Sequence, residues 1–347
     1  MNSNTKTRSS SSIKALLFFA LALILVLSLC LVACQKFNQT KIGVGSVGAQ
    51  YYTTTQNLEK ASKGKDGFSK VEITETEGSL STLKLLSKNY LSAAWVQSDV
   101  LQTVKSYPEY FPDVSLDGLC AVFKLYEEPV HIAVRKSANI NSVSDLRGKR
   151  VNLGSLDSGT YSNAREVLDA YNLTEKDMQS SNQSVSDSVV SFINGELDCI
   201  FVTEGIPSYT VSNLADSADI KFISLDEQSI SRILSRSNCY SAITIPANSY
   251  KGQTEAVRTL AAQALLVTRN DTSNEQVKEL FNSIYSSEFQ KLEPLKAQAY
   301  NNNVKFLSEH VSIGFHQAAV DYFASQGISV QGQDGKRNTL LEIHSQY

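Results

Sequence analysis

Short apolar runs rich in β-branched residues alternate along this chain with stretches whose apolar positions recur every three or four residues. The runs at 41–44, 70–75, 92–96, 120–126, 130–135, 150–153, 199–202 and 221–224 predict strands. Helical spacing predicts 50–60, 79–86, 158–170 and 184–194, and in the final third 273–285 and 316–326. Ala164, Val167, Leu168 and Tyr171, for example, fall on one face of the helix at 158–170. Such alternation predicts an α/β fold built on a largely parallel sheet with helices on both faces. No repeat or low-complexity linker divides the chain, so two domains are expected to share crossover strands rather than follow one another like beads.

The N-terminus has a different pattern. Lys6, Arg8 and Lys14 precede an apolar run over 15–29, followed by Leu31-Val32-Ala33-Cys34. A spanning helix wants about 20 apolar residues with flanking anchors, so this shorter run behind a basic flank reads as an export signal. The last four residues resemble a bacterial lipobox. That resemblance implies a signal peptide at 1–33 and Cys34 as the lipidated first residue of the mature protein, with 34–40 a lipid anchor and short linker. The alternative is an uncleaved anchor in which Cys34 is an incidental small residue. Under either reading the folded body lies outside the cytoplasm, at a periplasmic or cell-surface membrane. Gln35–Thr40 spans at most ~20 Å, which keeps that body close to the bilayer.

Removing 33 of 347 residues leaves 314, enough for two α/β domains with their own cores. The whole chain carries 32 basic and 35 acidic residues. The leader takes three of the basic ones with it, leaving a formal charge of −6. Mild acidity without a basic run excludes a nucleic-acid-binding footprint. Cys120 and Cys199 fall in apolar runs and read as small buried hydrophobes, although a Cys199–Cys239 bridge is open in an oxidising compartment. His131, in an apolar run, reads as a satisfied core residue, and His310, His316 and His344 are scattered. There is no G-x-S-x-G elbow, P-loop, H-E-x-x-H or paired C-x-x-C, so neither catalysis, a metal nor a cofactor is called for. Gly43, Gly45 and Gly48 do match the dinucleotide pattern G-x-G-x-x-G, but Tyr51-Tyr52 would crowd the helix start and an exported protein lacks a nicotinamide supply.

The candidate chemistry sits at strand-to-helix junctions, where open α/β sheets bind ligands. These are Gly43–Tyr52, Gly78-Ser79, Gln97-Ser98-Asp99, 154–160, and 204–208 with Pro207. Gly and Ser recur there because a helix N-terminus has unpaired N–H groups and partial positive charge, and gains from a nearby hydroxyl. Each Ser is equally readable as an N-cap. Several such ends facing one cleft make a site for a small anion without Lys or Arg.

The ordered set GSVGAQYY, EGS, WVQSD, EEPVHIAVR, DLRGKRVNLGSLDSGT, EGIPS, ITIPANSY, ALLVTR and FHQAAVDYF, spanning roughly 41–327, resembles the TAXI family of solute-binding proteins that serve TRAP transporters. The resemblance implies a two-lobed, type II periplasmic-binding-protein fold with mixed sheets flanked by helices and hinge strands between the lobes. It also implies a monomer that closes on a small organic acid, a glutamate-like amino acid or a dicarboxylate, and delivers it to sodium-coupled integral membrane subunits. The lobes are expected at 41–130 plus 245–347 and at 131–244, with hinges at 130–135 and 243–246. Matching the family's loops residue by residue places Ser46, Gly48, Tyr51 and Tyr52 in the first ligand loop. Gly78 and Ser79 fall in the second, and Gln97, Ser98 and Asp99 in the third. Asp157, Ser158, Gly159 and Thr160 lie on the opposite lobe. The chain departs from the family at Ala49 and at Asp157, where glycine is usual. Asp157 either points outward as a solvated turn residue or pairs with a ligand ammonium, which would favour an amino acid over a keto acid. Rival readings are a binding lipoprotein of an ABC importer and a sensory lipoprotein of the same fold.

Overall fold

Two long antiparallel strands lie side by side and run through both halves of the molecule. They are β4 (Leu119–Arg135) and β10 (Val257–Arg269). At ~3.3 Å per residue β4 alone extends roughly 55 Å, more than one lobe needs. The computed structural model describes residues 18, 20–24, 39–62, 70–284 and 304–335. Its ten strands form one continuous sheet in the order β2-β1-β3-β10-β4-β7-β5-β6, with β9 on β10 and β8 on β4.

On one side of the central pair, β2 (Lys70–Glu75) and β3 (Ala93–Gln97) both lie parallel to β1 (Gln39–Val44), and β3 meets β10 antiparallel. On the other side, β6 (Gln179–Ser181) and β7 (Cys199–Thr203) lie parallel to β5 (Arg150–Asn152), and β7 meets β4 antiparallel. Two antiparallel strands, β8 (Ile220–Phe222) and β9 (Ser241–Ile245), complete the sheet. The sheet is therefore mixed, with parallel arms and an antiparallel hub. The expectation of a largely parallel sheet fails at that hub, because both through-strands run against the arms they join.

The predicted strands at 120–126 and 130–135 are one strand. Glu127-Glu128-Pro129 looks like a break in the apolar pattern, yet β4 continues through it, with Pro129 opposite Ala261.

Helices cover the faces. In the first lobe these are α1 (Gln50–Ser62), α2 (Ser79–Ser87), α3 (Ser98–Ser106), α8 (Asn274–Ile284) and α9 (Gln317–Ser325). In the second they are α4 (Gly159–Ala170), α5 (Val185–Ile193), α6 (Tyr209–Ser217) and α7 (Glu227–Arg236). The first-lobe core is aromatic. Trp95 packs edge-on to Phe123, which packs edge-on to Phe281, itself edge-on to Phe323. The second core is aliphatic, built on Ile132, Val151, Val167, Leu168 and Ile230.

Ile245, Tyr250 and Val257 also pack with second-lobe residues such as Val202 and Val211, and Leu260 and Ala262 pack with Ile132 and Val151. The crossing on β10 therefore falls near Ala261–Gln263, beyond the expected return at 243–246. On β4 it falls at Glu127–Pro129.

The leader and Cys34 lie outside the described residues apart from an exposed helical stretch at Phe18 and 20–24. Among the described residues no helix is long and apolar enough to cross a membrane. Cys120, Cys199 and Cys239 are buried free thiols, so the Cys199–Cys239 bridge is not formed.

His131, on β4 just past the crossing, is fully buried. Its Nε2 lies 2.8 Å from the Tyr250 hydroxyl, which also accepts the Ser208 backbone N–H. Burial pushes the imidazole down to about 4, since no carboxylate faces it to stabilise the charged form. A depressed histidine contributes stability that is present above its unfolded value near 6.5 and is lost as pH falls towards 4. We expect the chain to lose about 2–3 kcal/mol relative to a His131→Phe variant between pH 7 and pH 4.5. Denaturant unfolding of both proteins at the two pH values checks this, and parallel loss would show that His131 is not the acid-sensitive group.

Candidate functional site

Between the lobes lies a narrow cleft with a cavity volume of about 60 Å³, well below the ~300–1,000 Å³ usual for small-molecule sites. Both lobes build its walls, and the C-terminal ends of the parallel strands feed it.

After β1 comes Ser46 and then α1, whose first turn carries Gln50 and Tyr51 into the cleft. Successive helical residues lie about 100° apart, so Tyr52 turns away onto the first-lobe core, while Gly48 sits exposed in the turn at φ +85°. After β2 come Gly78 and Ser79, both lining the cleft, and Ser79 Oγ accepts the Gln97 backbone N–H at 3.1 Å. Gln97 ends β3 and faces inward. Ser98 and Asp99 begin α3 and diverge from it. From the second lobe Ser158, Gly159 and Thr160 line the opposite wall.

Eight of the sequence-predicted residues thus meet in one cavity: Ser46, Tyr51, Gly78, Ser79, Gln97, Ser158, Gly159 and Thr160. Gly48, Tyr52, Ser98, Asp99, Asp157 and Pro207 do not line it. Three of these six join the lobes directly. Ser98 Oγ donates to the Cys239 carbonyl at 2.8 Å and accepts the Gln263 N–H. Asp99, raised to about 6 by burial, accepts from Asn163 Nδ2 at 2.8 Å. Asp157 meets Lys84 Nζ at 2.7 Å, and its carbonyl accepts the Leu80 N–H at 3.0 Å. Asp157 lies in a turn outside the cavity, about one-third exposed, and the cation beside it is the chain's own Lys84, in an ion pair across the cleft mouth.

Several lining residues escaped sequence reading. Glu128, at the β4 crossing, is buried and accepts from the Tyr51 hydroxyl at 2.5 Å and from the Gln97 amide. Tyr51 stacks on Trp95, whose Nε1 donates to Thr55 at 2.9 Å. Burial, with Glu204 and Asp99 nearby, pushes the Glu128 carboxyl well above the ordinary range, and burial beside Glu128 raises the Tyr51 phenol likewise. Glu204, just after β7, accepts from Ser208 Oγ at 2.5 Å, from Thr210 Oγ1 at 2.9 Å and from the Gln50 backbone N–H. Gln50 Oε1 in turn accepts the Gly205 N–H at 2.5 Å. The start of α1, expected to meet a ligand anion, thus meets a carboxylate of the facing lobe.

Asn152, Ser155, Gln183 and Thr203 complete the second-lobe wall. The sequence signals were present in Glu128, a polar residue inside an otherwise apolar strand, and in Glu204, the first residue after a strand. Among the described residues no Lys, Arg or His lines the cavity. Among the described residues no group of three His, Cys, Asp or Glu side chains is placed to hold a metal.

These features are those of a two-lobed periplasmic-binding-protein fold of type II, with two hinge strands and a polar cleft between lobes. The chain belongs to the NMT1-like family, whose model matches residues 42–327. Among solved structures it is similar to the periplasmic binding protein BugD, at 11% identity over 74% of this chain and 86% of that one, with a TM-score of 0.50. A protein from Bordetella bronchiseptica matches at 17% identity over 71% and 70%, with a TM-score of 0.49. The aliphatic sulphonate binding protein SsuA from Escherichia coli matches at 14% over 73% and 74%, with a TM-score of 0.40.

The lobes approach closely because glycine stands at the contact points. A Cβ on Gly78 would lie 2.8 Å from Ser158 Cα in the opposite lobe, and one on Gly159 would lie 2.0 Å from Gln97 Oε1. Gly78 also has φ +134°, which side chains rarely adopt. We expect Gly78→Ala to hold the cleft open, with a larger radius of gyration in solution scattering and solute affinity reduced at least tenfold. An unchanged radius and affinity would mean that Gly78 does not limit closure.

Proposed function

We propose that this chain is an extracytoplasmic solute-binding lipoprotein that captures a small polar metabolite between its lobes and delivers it to membrane transport subunits. One observation carries this reading. The cleft is lined by hydroxyls and amides from both lobes, and buried polar atoms within it lack partners, namely Gln50 Nε2, Gln97 Oε1, Gln183 Oε1 and Thr203 Oγ1. Unsatisfied buried polar groups cost ~1–3 kcal/mol each, so a ligand that pairs with them is favoured over plain closure.

The solute is a small carboxylate-bearing metabolite, a glutamate-like amino acid or a dicarboxylate, held by the hydroxyls of Ser46, Ser79, Ser158 and Thr160. Cys34 is the lipid anchor, and the protein works as a monomer. The transport partner is a sodium-coupled TRAP carrier, on the motif resemblance alone. An ABC importer is the second reading, since the family match does not distinguish the two kinds of carrier. Catalysis is not part of either.

Native mass spectrometry of the purified full-length chain, released from detergent, tests binding directly. We expect a stoichiometric small solute, and at least tenfold weaker rebinding to Thr160→Val, since a hydrogen bond to a charged group is worth ~1.5–3 kcal/mol. A chain that carries and binds no small molecule would defeat the reading. Uptake into vesicles that follows a sodium gradient supports the TRAP partner, and uptake that needs ATP supports the ABC importer.

A further inference from the structure

Among the described residues three carboxyls line the cleft, and no cationic side chain does. Glu77 lies exposed at the rim, whereas Glu128 and Glu204 are buried within. Their hydrogen bonding differs. Glu204 is saturated by Ser208, Thr210 and the Gln50 N–H, and so acts as a joint between the lobes. Glu128 receives only the Tyr51 hydroxyl and the Gln97 amide, and a carboxylate has about four acceptor positions. Three more oxygens in the same cleft have no partner, Gln97 Oε1, Gln183 Oε1 and Thr203 Oγ1, against one nitrogen, Gln50 Nε2, and Gln97 and Thr203 are more than nine-tenths buried. The unused capacity in the cleft is therefore weighted towards acceptors, three oxygens and the spare positions on Glu128 against one amide nitrogen.

Resting on the binding-protein reading, we propose that Glu128 is the specificity-determining residue of the cleft and receives a protonated amino group of the solute. The ligand is then an amine-bearing molecule, such as a zwitterionic amino acid, and a plain organic acid is rejected. An ammonium group brings three donors, which Glu128, Gln97 Oε1 and Thr203 Oγ1 can take up. The carbonyl of a keto acid brings no donor to Gln97 Oε1 or to the spare positions on Glu128, and leaves them unpaired. The hydroxyls of Ser79, Ser158 and Thr160 remain for the carboxylate end.

Proton linkage follows from the surroundings of Glu128. It is faced by Tyr51 from α1, Tyr126 on its own strand, Asp99 from α3 and Glu204 from the second lobe, with the neutral Gln97 from β3. All of these titratable neighbours are acidic, and burial favours the protonated carboxyl in the free protein. A cationic ligand favours the ionised form, so binding expels a proton and affinity rises with pH.

The test is calorimetric titration of the purified full-length chain with matched pairs. These are L-glutamate against 2-oxoglutarate, L-methionine against its 2-oxo acid, and putrescine against 1,4-butanediol, each in two buffers of different ionisation enthalpy. The solute released in native mass spectrometry joins the panel beside its des-amino or oxo counterpart. We expect the amine-bearing member of the pair that binds to do so at least tenfold more tightly, with buffer-dependent proton release. In Glu128→Gln, which keeps the shape and the Tyr51 contact, the preference should shrink below threefold and the proton release should vanish, while the oxo acid binds as before or better. Equal binding within the pair, a released solute without a basic nitrogen, or a preference that survives in Glu128→Gln would each overturn the proposal and leave the binding-protein reading standing. If the variant does not fold, the wild-type ratio and its proton release decide alone. A chain that releases no solute and binds no probe overturns both.

Discussion

The hydrogen bond between Tyr51 and Glu128 lies where one of the two through-strands passes from lobe to lobe. Glu128 stands on β4 at the crossing, and a carboxyl buried there is costly unless its oxygens are paired. Tyr51 supplies one donor and is itself fixed by stacking on Trp95, which Thr55 holds through the indole N–H. Gln97, at the end of β3, supplies another. Satisfying one carboxyl therefore locks α1, β3 and β4 together, and those three elements carry Gln50, Tyr51, Gln97 and Glu128 of the first-lobe wall. The demand for pairing at the hinge thus fixes the geometry of the binding surface.

Closure is assembled from small terms. The Lys84–Asp157 pair at the mouth is about one-third exposed on each side, and such ion pairs are worth ~0–1 kcal/mol. The Leu80–Asp157, Ser98–Cys239 and Asn163–Asp99 bonds are single contacts, each of the order of 1 kcal/mol net. A closed state held by a few such contacts is separated from an open one by a small free energy, which a ligand touching both lobes is able to tip. Glycine at 78 and 159 belongs to the same balance, because it lets backbones meet without adding attraction that would close the cleft unaided.

Much of this was legible in the hydrophobic pattern. The arms of the sheet were, because Ile42, Ala93–Val96 and 199–202 are short apolar runs bounded by turn residues. The hub was harder. β10 includes Leu260-Ala261-Ala262-Gln263-Ala264-Leu265, whose alanines suit a helix as well as a strand, and only burial on both faces makes it sheet. β4 was divided in two by the charges that the hinge requires. Helices α3, α6 and α7 are nine or ten residues long and polar on their outer faces, too short for periodicity to stand out. At the site, the strand-end rule located Ser46, Ser79, Gln97 and Ser158, because loop residues at strand ends share one edge of the sheet. It could not locate Glu128, which reaches the cleft from the middle of a strand through a bend in the joint between lobes.

The helix N-termini show why local motifs set the cleft's location better than its chemistry. Helix ends have free N–H groups, and read one at a time they look like a set of anion hooks. In the folded chain several are already taken. Ser158 Oγ accepts the Tyr161 N–H, Glu204 accepts the Gln50 N–H, and Gln50 Oε1 accepts the Gly205 N–H. Tertiary structure has moved acceptors from one element onto donors of another, and the surplus left in the cavity is mainly side-chain oxygen. What remains unpaired in the cleft after folding is Gln50 Nε2, Gln97 Oε1, Gln183 Oε1, Thr203 Oγ1 and the spare positions on Glu128, and on the binding-protein reading these are what a solute meets. That remainder is a property of two lobes brought together, which no single loop of the sequence contains.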